Sequence, residues 1–453
     1  MVRTNSALAY ARQVTANEAT IASFFFISAA IQWANGHLSR LALAGVTAGL
    51  ACCVRGLLSD DRRLRWPLPY LILGWEFLTL WSARPSVGLA VPDTPFRTGV
   101  LFCAAAALAA CVVKNRRWRQ VAFGAAVAGF FATGAWTLHR APAPAIDVYA
   151  FHQGASAALL SGANPYEIRT RDIYPPNISR SLYGPGVSVN GWLTFGFPYP
   201  PVSLLVSSLG YWLVGDCRYA HLAAICLAAL LFAYARPSRL SFVAALLFLF
   251  TPRVFFVLEQ SWTEPVLVFL FACTVFCRCR FPGAAPWIAG LLLAGKQYMV
   301  FIAPAVLRKW REVPKAAFAA VLVTAPFAMW NLAAFYHSVV ELQFIQPLRP
   351  DALSYMAELS LYGIRMPGWA PFLLTAVAIA FVVHKAPSTT TTSCSAVAFV
   401  LIVFFIFNKG AFCNYYYLVA GTLASAIATA DVKMSVDTPE TQVENPGAVH
   451  TQY

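Results

Sequence analysis

The sequence predicts an all-α polytopic membrane protein, and three observations carry that prediction. Hydrophobic residues make up 59% of the chain and charged residues only 11%, where a soluble globular domain carries about 25% charge. The mean hydropathy is +0.61. Charge-poor runs recur from residue 20 to residue 430 and are continuous rather than alternating. A crossing helix needs about 20 mostly apolar residues, and in lipid only helices or closed barrels satisfy the backbone. Continuous runs therefore read as helices, about 12–14 of them by that length rule. A soluble enzyme is excluded.

Taken in order, the expected spans are 20–35, 39–58, 67–83, 97–113, 120–138, 219–235, 240–258, 262–277, 314–333, 369–384, 394–408 and 412–430. Runs 199–215 and 286–307 are ambiguous. Arg3 and Arg12 precede the first run, and no small-residue cleavage pattern follows it, so it reads as part of the protein and not as a cleaved signal. Gly45 and Gly49 form a short small-residue pattern for packing a helix pair. No internal repeat is visible. The sequence divides into one membrane domain over 1–430 and a polar tail over 431–453, expected to be a disordered cytoplasmic end.

The net charge of +14 does not imply a nucleic-acid partner. Its basic residues stand in short clusters between apolar runs, where they orient the chain and meet anionic membrane lipid. Arg62, Arg63 and Arg65, then Lys114, Arg116, Arg117 and Arg119, belong on the cytoplasmic side. With the N-terminus inside, residues 139–198 fall outside the cytoplasm. A full crossing by 199–215 would carry Arg236, Arg239, Arg278 and Arg280 to the wrong side. The double proline Pro200-Pro201 and Gly215 instead suit a surface or re-entrant helix. A broken helix at Gly295-Lys296 likewise returns Arg308, Lys309, Arg311 and Lys315 to the cytoplasm. Residues 334–368 form the next outside segment.

Of the 11 cysteines, most fall in or beside apolar runs, where cysteine is a small hydrophobe. Cys277-Arg278-Cys279 has no second ligand pair nearby to complete a metal site.

Polar chemistry is concentrated in the large loop that Asp147 opens. Asp147 lies at the mouth of the fifth span, where it either caps the amphipathic interfacial helix that follows or serves as a general base for an acceptor hydroxyl. His152, one to two turns further on, is either a ligand of donor phosphate or acceptor, or a wet interface residue. Gly162-Ala163-Asn164-Pro165-Tyr166 reads as a helix stop and turn that brings Glu167, Arg169, Arg171 and Asp172 back across the site. Two carboxylates alone specify no metal, and a divalent cation stays an open alternative. Glu259-Gln260-Ser261-Trp262-Thr263-Glu264 adds a polar patch at an outside turn, with Glu259, Gln260 and Glu264 as binding candidates. Lys296 and Lys409 interrupt apolar stretches; each either snorkels or needs an anion, and phosphate is one such anion. Tyr415-Tyr416-Tyr417 reads as an aromatic belt. No glycine-rich phosphate loop, Walker sequence or separate nucleotide-sugar domain is present.

Together, Asp147-Val148-Tyr149, Leu159-Leu160-Ser161-Gly162-Ala163-Asn164-Pro165-Tyr166 and Tyr199-Pro200-Pro201 resemble polytopic glycosyltransferases of the GT-C fold. The nearest pattern is the bacterial family 87 of alpha-mannosyltransferase-like proteins, which Lys296 and Asn408-Lys409 before Asn414-Tyr415-Tyr416 also resemble. The resemblance covers roughly residues 120–430 and makes 1–119 an addition of N-terminal helices. It implies a GT-C-like fold whose large external loop holds interfacial helices. It further implies inverting transfer of a hexose such as mannose from a polyprenyl-phosphate-linked sugar to a glycan or glycolipid acceptor. Asp147 would be the catalytic aspartate on the extracytoplasmic face of a bacterial inner membrane. From the cost of a lysine in an apolar run, Lys296 and Lys409 are expected to approach the same cavity around a lipid phosphate, with Arg169 or Arg171 at its rim. Two departures stand out: four additional spans precede the aspartate, and Glu259-Gln260-Ser261-Trp262 replaces a Gly-Gln-x-Asn turn. The rival reading from another class is a transporter or lipid-sugar flippase, which inverted repeats would support.

Overall fold

The computed structural model describes residues 18–34, 37–59, 67–83, 93–385 and 389–430. The basic cluster Arg62–Arg65, the residues before 18 and the tail 431–453 lie outside the described residues. The fold is a helical, polytopic membrane architecture. Five described helices are long and apolar enough to cross a membrane: α2 (Arg40–Leu58), α4 (Thr94–Val112), α5 (Arg116–Arg140), α9 (Arg218–Ala235) and the stretch Trp310–Trp330, which ends in α15 (Val313–Trp330). Shorter helices complete the bundle: α1 (Glu18–Ala34), α3 (Pro67–Ser82), α10 (Arg239–Leu249), α12 (Glu264–Arg280), α19 (Ala370–Lys385), α20 (Thr390–Ile406) and α21 (Cys413–Ala428).

Local signals set many of these boundaries. Asn115 caps α5 by accepting from the Arg117 and Trp118 backbone N–H groups at 2.9 and 3.3 Å. Reciprocal capping boxes, Ser238 with Ser241 and Thr389 with Thr392, start α10 and α20. Gly45 and Gly49 of α2 face α1, where an added methyl group would lie 3.2 Å from Trp33 and 2.9 Å from Ile27. Small residues thus set that helix spacing.

Nearly every residue of α20 and α21 is buried, and α1, α9, α10 and α12 pack around them in one continuous apolar core. The outer helices behave differently. Leu101, Phe102 and Leu108 on α4, and Phe318, Val321, Leu322 and Met329 on α15, are exposed, as a lipid-facing surface requires.

Two apolar runs break. The run expected as a single span at 240–258 is two helices, α10 and α11 (Val254–Glu259), because Pro252 interrupts it and Arg253 takes a left-handed backbone with φ 63°. Run 286–307 divides at Gly295-Lys296 into α13 (Ala285–Leu293), a 3-10 turn at Gln297–Ile302 and α14 (Ala303–Val306).

Segment 141–200 builds α6 (Asp147–Leu160), α7 (Pro176–Tyr183) and a small hairpin, β1 (Ser188–Val189) with β2 (Trp192–Leu193), paired antiparallel as Ser188 with Leu193 and Val189 with Trp192. It has its own core of Phe151, Tyr166, Tyr183, Phe195 and Phe197. Next, α8 (Pro201–Val214) packs along α6. Tyr199, before α8, stacks near His152 of α6, while Gly215, after it, accepts from Gln153 Nε2 at 2.5 Å. Both ends of α8 therefore sit at the level of α6, and the helix lies across the bundle end without crossing to the other.

Segment 331–368 carries α16 (Leu332–Tyr336), a π turn at His337–Glu341, α17 (Leu342–Ile345) and α18 (Tyr355–Ser360). It docks on 141–200: the Gly196 N–H donates to Ser338 Oγ at 3.0 Å, and Gln297 Nε2 ties the Pro198 and Val339 carbonyls together. At the opposite end, Arg278 pairs with Glu312 at 2.5 Å, Arg236 reaches the Thr429 carbonyl and Arg119 lies in the field of Arg239. Basic residues from α5, α9, α10 and α12 thus gather at one end, and both polar segments gather at the other.

Candidate functional site

Asp147 is the first residue of α6. Its Oδ1 accepts from the Val148 N–H at 2.8 Å, and its Oδ2 accepts from the Tyr183 hydroxyl at 2.5 Å. The Tyr174 hydroxyl lies 3.4 Å from the Asp147 nitrogen. Asp147 therefore occupies a helix start, where a carboxylate suits the backbone dipole, and it stays only partly buried. Burial pushes its pKa above the ordinary aspartate value, while Tyr183, the Val148 N–H and the Arg349 charge oppose that rise.

Behind this platform lies a buried polar cluster. Glu264, the first residue of α12, accepts from Lys296 Nζ at 2.6 Å, the Tyr298 hydroxyl at 2.9 Å and Asn414 Nδ2 at 2.7 Å. Lys296 Nζ also stands 5.1, 5.4 and 4.9 Å from the ring centres of Tyr199, Tyr298 and Tyr415. The anion that a lysine in an apolar run requires is supplied inside the protein. Tyr199, whose ring centre stands 5.1 Å from Lys296 Nζ, also feels the charges of Asp147 and Glu264.

Lys409 follows α20 and turns toward 342–349. Its Nζ donates to the Gln346 carbonyl at 2.5 Å, and its own carbonyl accepts from the Arg349 N–H at 2.9 Å. Burial lowers its pKa. Arg349 pairs with Asp351 at 2.7 Å, lies 4.7 Å over the Phe412 ring and acts on Asp147, Tyr174 and Tyr415. It is the cation whose charge reaches the Asp147 carboxylate.

Other sequence candidates are placed apart. His152 is fully buried among Phe197, Tyr199 and His221, with neither ring nitrogen hydrogen-bonded by a protein group. Burial, then His221 and Lys296, depress its pKa well below the usual histidine value. Asp172 accepts from Ser179 and from the Tyr174 N–H at 3.0 Å, which fixes the entry into α7. Exposed Arg171 meets Trp192 through a backbone bridge. Glu259 is buried at the end of α11; its carboxylate lies 3.5 Å from Gln260 Nε2, and its carbonyl accepts from buried Arg218. Glu167 is held by Asn331. Glu167 and Arg169 line a separate cleft of about 560 Å³ with Asn190, Trp192, His337 and Ser338. Among the described residues, no three His, Cys, Asp or Glu side chains cluster so as to hold a metal ion.

Sequence reasoning missed Tyr174, Tyr183, Tyr199, Arg349 and Asn414 as members of the site. Tyr199 carried a signal in the Tyr-Pro-Pro turn. Arg349 stood among the polar residues of the second outside segment, without any local mark of where its charge would point.

No family model matches the chain, and no curated protein matches it. Among solved structures the chain is similar to the crystal structure of ArnT from Cupriavidus metallidurans bound to undecaprenyl phosphate, at 14% identity and a TM-score of 0.40. The match covers 67% of this chain and 59% of that one. A likeness of that extent assigns neither fold family nor activity.

Proposed function

We propose that the protein is a membrane glycosyltransferase of GT-C type, transferring a hexose from a polyprenyl-phosphate donor to a glycan or glycolipid acceptor. Its site would face the extracytoplasmic side of a bacterial inner membrane. The observation that carries this reading is the Asp147 carboxylate, partly buried on a platform of two tyrosines at the end opposite the basic clusters, with a guanidinium acting on it. Burial that raises the pKa of a carboxylate also strengthens it as a base.

In this reading Asp147 takes the proton of the acceptor hydroxyl as that oxygen bonds to the anomeric carbon. The bond from the anomeric carbon to the phosphate oxygen breaks, and its electron pair leaves with the polyprenyl phosphate. Attack opposite the leaving group inverts the anomeric centre. Arg349 and Lys409, joined through their backbones, would face the developing phosphate charge. Lys296, with its charge taken up by Glu264, would orient Tyr199 and Tyr415 at the donor side. The cleft lined by Glu167, Arg169 and Trp192, which Asp147 does not line, would hold the part of the acceptor remote from its reacting hydroxyl.

The test is a transfer assay on purified protein in lipid nanodiscs, run with a panel of polyprenyl-phosphate sugars and followed by linkage analysis. Wild type should transfer at least one sugar with inversion, and Asp147→Asn should not. Near-wild-type turnover in Asp147→Asn sinks the mechanism.

A further inference from the structure

The transferase reading leaves the buried acid Glu76 unused. Glu76 lies beyond the midpoint of α3, 0% exposed, and neither carboxylate oxygen has a hydrogen-bond partner. Its neighbour across the interface is Ser28 of α1, also 0% exposed, whose hydroxyl is likewise unbonded. Gln32, one turn further along α1, holds its Oε1 buried with no partner. The nearest hydroxyl on α3 itself is spent elsewhere, since Thr79 Oγ1 donates to the Glu76 carbonyl at 2.7 Å.

The surroundings offer no compensating charge. Helix α3 packs against α1, α4 and α10. Their titratable groups are Glu18 on α1, Arg97, Cys103 and Cys111 on α4, and Arg239 on α10, and none of these is a partner of the Glu76 carboxylate. Cys111 and Arg239 act instead on Tyr70, toward the other end of α3. The Phe25–Trp75 contact, at 5.2 Å, and the Phe77–Phe250 contact, at 4.4 Å, pack apolar rings against the residues on either side of Glu76.

An ionised carboxylate enclosed this way, with no cation and at most the Ser28 hydroxyl as a donor, costs many kcal/mol. The cost disappears when a positive charge sits on the carboxylate. We propose that Glu76, with the Ser28 hydroxyl beside it, forms a buried site for a small cation, either a proton or a monovalent metal ion. A proton would turn one carboxyl oxygen into a donor toward the Ser28 hydroxyl. A metal ion would take oxygen ligands from the Glu76 carboxylate and the Ser28 hydroxyl, the chemistry that such ions favour. This proposal does not rest on the transferase reading.

The experiment uses the full chain in nanodiscs. Dicyclohexylcarbodiimide, an apolar reagent, modifies protonated carboxyls: the acid proton passes to a carbodiimide nitrogen and the carboxylate oxygen bonds the central carbon, after which the adduct rearranges to a stable acylurea. Peptide mass spectrometry should find that adduct on Glu76 at neutral pH, and Glu76→Gln should lack it. Modification unaffected by 0–~300 mM NaCl or KCl identifies the proton as the ligand; loss of modification with one of these salts identifies that metal ion. Melting temperature provides the second measurement. If Glu76 holds a proton, wild type should lose stability relative to Glu76→Gln as pH rises, because only the folded state favours the protonated form. If it holds a metal ion, wild type alone should gain stability with salt. No adduct, together with melting temperatures of the two proteins that move in parallel with pH and with salt, overturns the proposal.

Discussion

Glu264 and Asp147 are two carboxylates at helix starts, yet their environments differ in kind. Glu264 is 0% exposed and accepts three hydrogen bonds, one of them from a lysine ammonium. Asp147 accepts two, from a phenol and a backbone N–H, and its cation acts without a direct bond. A carboxylate offers about four lone-pair sites, so Asp147 has more capacity left for an incoming proton. Three bonds, one from a paired cation, mark Glu264 as a fixed part of the structure. Partial satisfaction is what chemistry needs, and the difference can be broken from either side.

The largest expected effect is on the Asp147 side. Asp147→Asn should lower kcat/KM for transfer by about 10²–10⁴-fold, the usual worth of a general base. Its stability should change in the other direction. Because the folded-state pKa of Asp147 is raised, its protonated form contributes stability that is present at low pH and lost as pH rises. The variant, which cannot ionise, should therefore be at least as stable as wild type at neutral pH. A melting temperature clearly below wild type there would show that the carboxylate holds the fold together.

On the other side, Lys296→Met should act mainly on folding. It leaves Glu264 buried without its cation, a loss of about 3–5 kcal/mol for a broken buried pair. Lys296→Met with Glu264→Gln removes both charges and should recover much of that stability. Thermal unfolding of the two single variants and the double one measures the coupling. If the double variant is no more stable than Lys296→Met, the pair is not what Lys296 contributes, and a direct role toward the donor phosphate gains ground.

Much of this architecture was legible in the chain, and the reasons for the rest are physical. Apolar runs of helical length gave the bundle, and the basic clusters gave its two ends. Pro200-Pro201 and Gly215 marked α8 as a helix of its own, and Gly295-Lys296 marked a real break. Pro252 carried an available signal for the break between α10 and α11 that the long apolar run concealed. The enclosed cluster was harder, because its partners are remote in sequence: Lys296 stands 32 residues from Glu264 and Asn414 stands 150 away. Periodicity cannot report such pairing. Arg349 lay in a segment full of polar residues, and only the docking of 331–368 onto 141–200 brings its charge to Asp147. Glu76 was the opposite case, a lone acid inside the run 67–83 that apolar neighbours made easy to pass over, although an ionisable residue in such a run is itself a signal.

Tyr183→Phe tests how the platform tunes the base. The Tyr183 hydroxyl donates to Asp147 Oδ2 and holds the carboxyl pKa down against burial. Its loss removes a hydrogen bond to a charged group, worth about 1.5–3 kcal/mol, and raises the Asp147 pKa further. Transfer depends on ionised Asp147, so wild-type activity should rise with pH through an acid limb lying above the ordinary aspartate value of about 3.9. In Tyr183→Phe that limb should move to still higher pH. An acid limb that stays in place would mean that another group sets it.

The smallest effect should come from Glu167, where the comparison extends to an exposed carboxylate. Glu167 is held by Asn331, lines the outer cleft and carries no buried charge. Surface changes of this kind usually stay within about 0.5 kcal/mol of wild-type stability, and Glu167→Gln keeps the side-chain shape and one oxygen able to accept from Asn331. Folding should therefore be unchanged. If the cleft receives the acceptor, the lost charge weakens ground-state and transition-state binding alike, which raises the acceptor KM severalfold and leaves kcat in place. The donor KM should not move, because Lys409 and Arg349 lie elsewhere. A fall in kcat at unchanged KM would place Glu167 with the reacting atoms, and unchanged kinetics for both substrates would remove the cleft from the proposed site.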